Sequence, residues 1–278
     1  MLKPLAAVAA LALAGAAPEP LQFVNSPLNE YNPSFDRPER LMVFARSEAE
    51  FRNAKIYVSQ KRRGKWAAPA QIGFSDPRYS DSDPWLTPDG RTLYFVSDRP
   101  TASRPDKKDL DLWRSRLVRG VWSAPEHLGD AVNSPNPELG PELHGGILYF
   151  ASVRRGGKGG LDIYTAREAA GGFGPAEALA GPFNSAQSDS DFTISPDGRH
   201  AAFWRGLGDG TARIMLSRRL AAGWSEPAPL PASVNLGPFN FTPRFSRDGK
   251  SLWLASTLER QGQERGMADI YVRALPPL

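Results

Sequence analysis

The chain has 278 residues, of which 41% are hydrophobic, 23% charged and 10% aromatic, a balance that excludes a disordered chain, which is poor in aromatics and rich in net charge. There is no cysteine, so disulfides, thiolate nucleophiles, iron–sulfur clusters and cysteine-ligated zinc are excluded. The net charge is only +4, and the short basic stretches Arg62-Arg63-Gly64-Lys65 and Arg154-Arg155-Gly156-Gly157-Lys158 read as solvated turns, so nucleic acid is not an expected partner.

In chain order, the first element is a leader. A basic start at Lys3, an apolar run from Leu5 to Ala14 and a small-residue exit through Gly15-Ala16-Ala17 read as a secretory signal peptide over residues 1–17. The run is too short to span a bilayer, which takes about 20 apolar residues. With no cysteine to carry a lipid, a periplasmic or secreted protein is expected, without a membrane span. Gly and Pro number 26 each, so turns should cut the remainder into short pieces and leave no long helix.

Those pieces repeat. Aromatic or apolar pairs close an apolar run at Val43-Phe44, Tyr94-Phe95, Tyr149-Phe150, Ala202-Phe203 and Trp253-Leu254, at steps of 51, 55, 53 and 51 residues. A second anchor, at Lys55-Ile56-Tyr57, Asp111-Leu112-Trp113, Asp162-Ile163-Tyr164, Arg213-Ile214-Met215 and Asp269-Ile270-Tyr271, steps by 56, 51, 51 and 56. A third places Trp66, Trp122, Phe173 and Trp224 six residues before Ile72, Leu128, Leu179 and Leu230. Asn25, Asn133, Asn184 and Asn235 open units, with Ser75 near the matching place. One domain over 18–278 is expected, with units of about 25–74, 75–132, 133–183, 184–234 and 235–278 plus 18–24.

Each unit reads as four strands, here Asp83 to Leu86, Leu93 to Ser97, Leu110 to Arg116 and Val121 to Leu128, with Pro88-Asp89-Gly90 as a tight turn between the first two. The second strand is apolar on nearly every residue, so both its faces should be buried. Four short strands per period predict an all-β fold, a five-bladed β-propeller of four-stranded blades. The last unit stops after its third strand, while the segment from Pro18 to Asn25 resembles Pro125 to Asn133. The amino end should therefore supply the missing outer strand and hide two exposed edges.

Trp122-Ser123-Ala124-Pro125, Ser195-Pro196-Asp197-Gly198, Leu93-Tyr94-Phe95 and Gly156-Gly157-Lys158-Gly159-Gly160-Leu161-Asp162-Ile163-Tyr164 carry a family resemblance. Over residues 18–278 the chain resembles the WD40-like propeller repeat often called PD40, found in the TolB propeller and in exported bacterial proteins joined to OmpA-like domains. The resemblance implies a propeller in the cell envelope and leaves a six-bladed, TolB-like ring as the alternative. The pattern departs from the family at Asp36-Arg37-Pro38-Glu39, which replaces a turn, at His144-Gly145-Gly146, and at Ala176, where other units carry proline. Neither the α/β domain of TolB nor an OmpA-like tail is expected, so a role in the Tol system does not carry over.

Two columns recur at the start of the innermost strands. The first is Glu30, Asp81, Glu138, Asp189 and Asn240; the second, two residues on, is Asn32, Asp83, Gly140, Asp191 and Thr242. The expectation is a binding site at the channel mouth built from Glu30, Asp81, Asp83, Glu138, Asp189, Asp191 and Asn240, where gathered carboxylates would raise one another's pKa or attract a cation or a basic segment. The competing reading is that such carboxylates cap backbone N–H groups in the preceding turns. Catalytic residues, metal and cofactor are expected to be none: the histidines His127, His144 and His200 are scattered, the Asp106 to Asp111 loop lacks calcium-loop spacing, and no Gly-x-Ser-x-Gly elbow, phosphate loop or His-Glu-x-x-His occurs. Gly156 to Gly160 reads as a flexible loop. The expected function is an exported, non-enzymatic, monomeric propeller that binds a protein or peptide partner in the cell envelope. The alternative is a carbohydrate-active hydrolase using carboxylates about 5–9.5 Å apart around the central pocket.

Overall fold

The computed structural model describes residues 21–276; the leader reading over residues 1–17 lies outside them. Five antiparallel sheets follow one another along the chain and stand in a ring. Blade 1 runs from its inner strand Asn29–Phe35 through Leu41–Ser47 and Lys55–Arg62 to an outer piece, Ala70–Gln71. Blade 2 is Asp81–Leu86, Thr92–Ser97, Asp111–Val118 and Glu126–His127. Blade 3 is Glu138–His144, Ile147–Ser152, Asp162–Ala169 and Glu177–Ala178. Blade 4 is Asp189–Ile194, His200–Gly206, Ala212–Leu220 and Ala228–Pro229. Blade 5 has Asn240–Phe245, Ser251–Ser256 and Asp269–Ala274. The ring has five blades, not six.

The fourth strands are shorter than expected. The run from Val121 to Leu128 divides into Val121–Trp122 and Glu126–His127, both paired with the third strand. Pro125 stands in the gap, and proline has no N–H to donate to a ladder. The unusual turns have local explanations. In blade 1, Asp36 Oδ1 accepts the N–H groups of Arg40 and Leu41, and Glu39 takes the left-handed conformation that Gly90 adopts in blade 2. In blade 3, Gly145 and Gly146 both have positive φ, as a two-residue hairpin turn requires.

The core lies between blades. One cluster joins Val43, Ile56 and Ile72 of blade 1 to Leu86, Leu93 and Phe95 of blade 2. Another joins Ala202 and Ile214 of blade 4, Phe241 and Leu252 of blade 5, and Tyr31 and Ala45 of blade 1. Burying each large side chain contributes about 1.5–3 kcal/mol, and this gain needs the neighbouring blade in place.

The blade 5–blade 1 seam supplies that neighbour across the chain ends. Leu21 N–H donates to the Ile270 carbonyl at 3.3 Å, as Ile72, Leu128, Leu179 and Leu230 donate to Ile56, Leu112, Ile163 and Ile214 in the other blades. Asn25 then grips Ile270 from both sides: its Oδ1 accepts the Ile270 N–H and its Nδ2 donates to the Ile270 carbonyl. Asn133, Asn184 and Asn235 hold Leu112, Ile163 and Ile214 in the same way. From Leu21 on, the amino-terminal segment is a turn closed on the Leu21 carbonyl; residues 18–20 of the expected outer strand lie outside the described residues.

The glycine-rich loop of blade 3 is held in place. Lys158 and Gly159 N–H both donate to Asp162 Oδ2, and a Cβ on Gly159 would collide with the backbone of Ser185 to Gln187 in blade 4. These glycines let two blades approach closely and are no slack connection.

Candidate functional site

The two columns separate. Glu30, Asp81, Glu138 and Asp189 are fully buried, each at a different joint between blades. Their backbone N–H groups donate to the carbonyls of Ala268, Ala54, Leu110 and Leu161 in the preceding blade. Each carboxylate meets its own arginine from the end of the second strand: Arg46 with Glu30 at 2.6 Å, Arg99 with Asp81 at 2.6 Å, Arg154 with Glu138 at 2.9 Å and Arg205 with Asp189 at 2.5 Å. All four arginines also donate to carbonyls of the preceding linker, at Val24, Phe74, Val132 and Phe183. Burial pushes all four carboxyls above their ordinary pKa, against the lowering by serine donors and arginine. Asn240 closes the fifth joint without charge, through Ala212, Gly237 and Ser256. None of the five lines an axial cavity. The arginine column was the legible sign of pairing: Arg46, Arg99, Arg154 and Arg205 follow the acids by 16 to 18 residues.

The second column sits on the axis. Asn32, Asp83, Gly140, Asp191 and Thr242 all have φ between 48° and 55°, and each inner strand shifts register there against its neighbour. This bulge, repeated in every blade, bends the strand as the blades converge. Across the axis, Asn32 N–H donates to Thr242 Oγ1 and Asn32 Nδ2 to Asp191 Oδ1. Gly140 N–H donates to Asp83 Oδ2. A Cβ at Gly140 would collide with the Asp191 carboxylate, so a side chain here would have to displace that group. The column therefore plugs the channel and divides it into two cavities.

The cavity at the starts of the inner strands has a volume of about 240 Å³. Tyr31, Phe51, Trp204, Phe239 and Phe241 wall it, and Asn32, Asp83, Asp191 and Thr242 form its floor. Trp204 Nε1 donates to Asp191 Oδ2 at 2.6 Å. Phe51 hangs at the mouth, 44% exposed, with φ of 58°, and meets Tyr31 and Phe241 edge-on. Burial, reinforced by the charge of Asp83, pushes Asp191 up to about 7; burial also raises Asp83, against the lowering by Gly140, Ser82 and Arg244.

Beyond the plug, a second cavity of about 380 Å³ opens at the opposite face. It contains Glu142, which accepts Thr193 Oγ1–H and Ile194 N–H and pairs with Arg244. Burial brings the Arg244 pKa down to about 9. Arg37, Glu39 and Arg247 stand with them, so this face has mixed charge. The sequence reading passed over Glu142 and Arg244, although they lie two residues past Gly140 and Thr242 and so share an alternation with the second column. It also passed over the aromatic walls, which come from unrelated positions. Among the described residues no three His, Asp or Glu side chains gather as a metal-holding group.

Comparisons with known proteins bear on the fold. No family model matches the chain, and no curated protein matches it. Among solved structures it is similar to TolB from Acinetobacter baumannii, at 15% identity and a TM-score of 0.54, over 92% of this chain and 56% of that one. It is similar also to a protein of Agrobacterium tumefaciens assigned to TolB, at 14% identity and a TM-score of 0.54, over 91% of this chain and 92% of that one. An α-L-arabinofuranosidase from Lactobacillus brevis matches at 12% identity and a TM-score of 0.58, over 91% and 93% of the two chains. At these identities the likeness extends to the propeller fold. The chain spans little more than half the length of the Acinetobacter protein.

Two outcomes follow from this geometry. Asp189→Ala leaves Arg205 without its buried partner, which should cost about 3–5 kcal/mol, whereas Asp189→Leu with Arg205→Met should recover most of that loss; urea unfolding of the three proteins measures both. The second concerns pH. The folded pKa of Asp191, about 7, lies above its unreacted value of 3.8, so its contribution to stability is full at low pH, falls as pH rises towards 7 and is constant beyond. Carboxyl ¹³C titration should show the Asp191 midpoint near 7 and moving down in Asp83→Asn; an unmoved midpoint would contradict coupling between the two acids.

Proposed function

We propose that the chain is a non-enzymatic propeller of the cell envelope that docks a protein or peptide partner on the face bearing the aromatic cavity. The observation that carries this reading is an apolar collar. Leu28, Phe51, Val153 and Leu207 are 38–47% exposed, and all lie in loops at the end of the ring where the inner strands begin, around the mouth that Phe51 overhangs; Val118, Val121 and Leu220 are exposed separately, at the outer hairpins of blades 2 and 4. Exposed apolar side chains grouped on one face mark interaction surfaces. The recessed acids support binding rather than turnover, because Asp191 already accepts Trp204 and Asn32, and Asp83 accepts Gly140. No helix among the described residues is long and apolar enough to cross a membrane. Periplasmic or secreted placement rests on the leader reading, and a monomer is the state proposed.

A hydrolase is the second reading, favoured by one observation: two coupled carboxyls at the floor of an aromatic cavity, in a ring similar to that of an arabinofuranosidase. Glu30, Asp81, Glu138 and Asp189 do not serve it, since each is paired with an arginine in its own joint; Asp83 and Asp191 are the carboxyls that would.

Affinity capture from a periplasmic fraction separates the readings. The wild-type chain should retain a partner that the Phe51→Ser/Leu207→Ser variant, with unchanged melting temperature, loses by roughly tenfold or more, as expected for removal of interface anchors. Equal retention by both proteins would overturn docking at the collar. Turnover of aryl glycosides abolished by Asp191→Asn would establish the hydrolase instead.

A further inference from the structure

The geometry points to a lysine side chain of the docked partner as the group that fills the aromatic cavity. This inference rests on the docking reading above and assigns its specificity. The cavity holds two carboxylates, Asp83 and Asp191, and no Lys, Arg or His among its lining residues. The groups facing the pair are Asn32, Ser82, Gly140, Trp204 and Thr242, the Tyr31 phenol, and Arg244 from beyond the plug. Arg244 is itself paired with Glu142, so three carboxylates on the axis face one guanidinium. A negative surplus under an apolar mouth calls for a cation with an apolar stem.

The walls suit the same group. Ring faces and edges of Tyr31, Phe51, Trp204 and Phe241 surround the space above the acids, and a cation within about 6 Å of an aromatic face gains roughly 0.5–2 kcal/mol, most when desolvated. Lysine fits better than arginine. Asp191 uses both oxygens on Asn32 and Trp204, and Asp83 uses Oδ2 on Gly140, so no carboxylate presents the two free oxygens that a guanidinium fork takes. An ammonium is a compact point charge that needs no such fork. Its four-carbon stem can lie along the aromatic walls while the head reaches the floor.

The test follows the Trp204 indole N–H by ¹⁵N NMR, assigned with Trp204→Phe, during titration with Ac-Gly-Lys-Gly-NH₂ and its norleucine and arginine counterparts. The lysine peptide should shift the signal with at least about tenfold higher affinity than norleucine, and above arginine. Asp83→Asn should erase the margin over norleucine while the melting temperature shows the fold intact, and Phe51→Ala should weaken binding of the lysine peptide. Equal binding of norleucine, or tighter binding of arginine, would overturn the lysine assignment while leaving docking at this face in place. Absence of any shift with all three peptides would also overturn it, and loss of capture in the collar variant would then place the partner on the rim alone.

Discussion

The Leu21 amide and the Asn25 side chain reach Ile270, and the Glu30 amide reaches Ala268, joining blade 5 to blade 1, and the remaining architecture depends on that seam. Blades of this size have their apolar faces covered only by one another. The cluster that unites Tyr31 and Ala45 with blades 4 and 5 has no counterpart in an open arc. The Asn25 side chain secures the seam, because it occupies both polar groups of Ile270, a residue whose surroundings offer no water. Unpaired, those groups would carry the desolvation cost of a buried donor and acceptor.

Closing the ring brings five inner strands towards one line, and that crowding explains the site. Each strand yields by placing one residue in the left-handed region, a conformation that Asn and Asp tolerate and that is unusual for β-branched Thr242. Hydrogen bonds across the axis then tie Asn32, Asp191 and Thr242 together and join Gly140 to Asp83. The plug is polar because the bulges expose backbone N–H groups that need acceptors. The same plug sets two carboxyls close enough to influence each other and roofs them with aromatic walls. Charge that serves as structure in the joints, where every acid has an arginine, is left over on the axis.

The fold was far more legible than the site. Aromatic anchors at a fifty-residue period reveal the five sheets, because a blade must present apolar residues at fixed places to cover its neighbour. The matching segments Pro18 to Asn25 and Pro125 to Asn133 reveal the latch for the same reason. Which acids face the axis is decided by a finer feature. Glu30 and Asn32 stand on the same face of an ideal strand, and only the bulge, invisible to period-two alternation, sends one into the joint and the other to the plug. Phe51 was illegible because a short loop with three residues at positive φ carries it over the cavity. The glycine run at Gly156 to Gly160 misled because close packing and slackness call for the same residue.

Amide hydrogen exchange at Ile270 tests ring closure most directly. Closure predicts protection of the Ile270 N–H comparable to that of Leu112, Ile163 and Ile214, whose amides lie in the same asparagine grip. Exchange of Ile270 at the rate of an open strand edge, with the other three protected, would contradict a sealed ring and remove the geometric basis of the axial cavity.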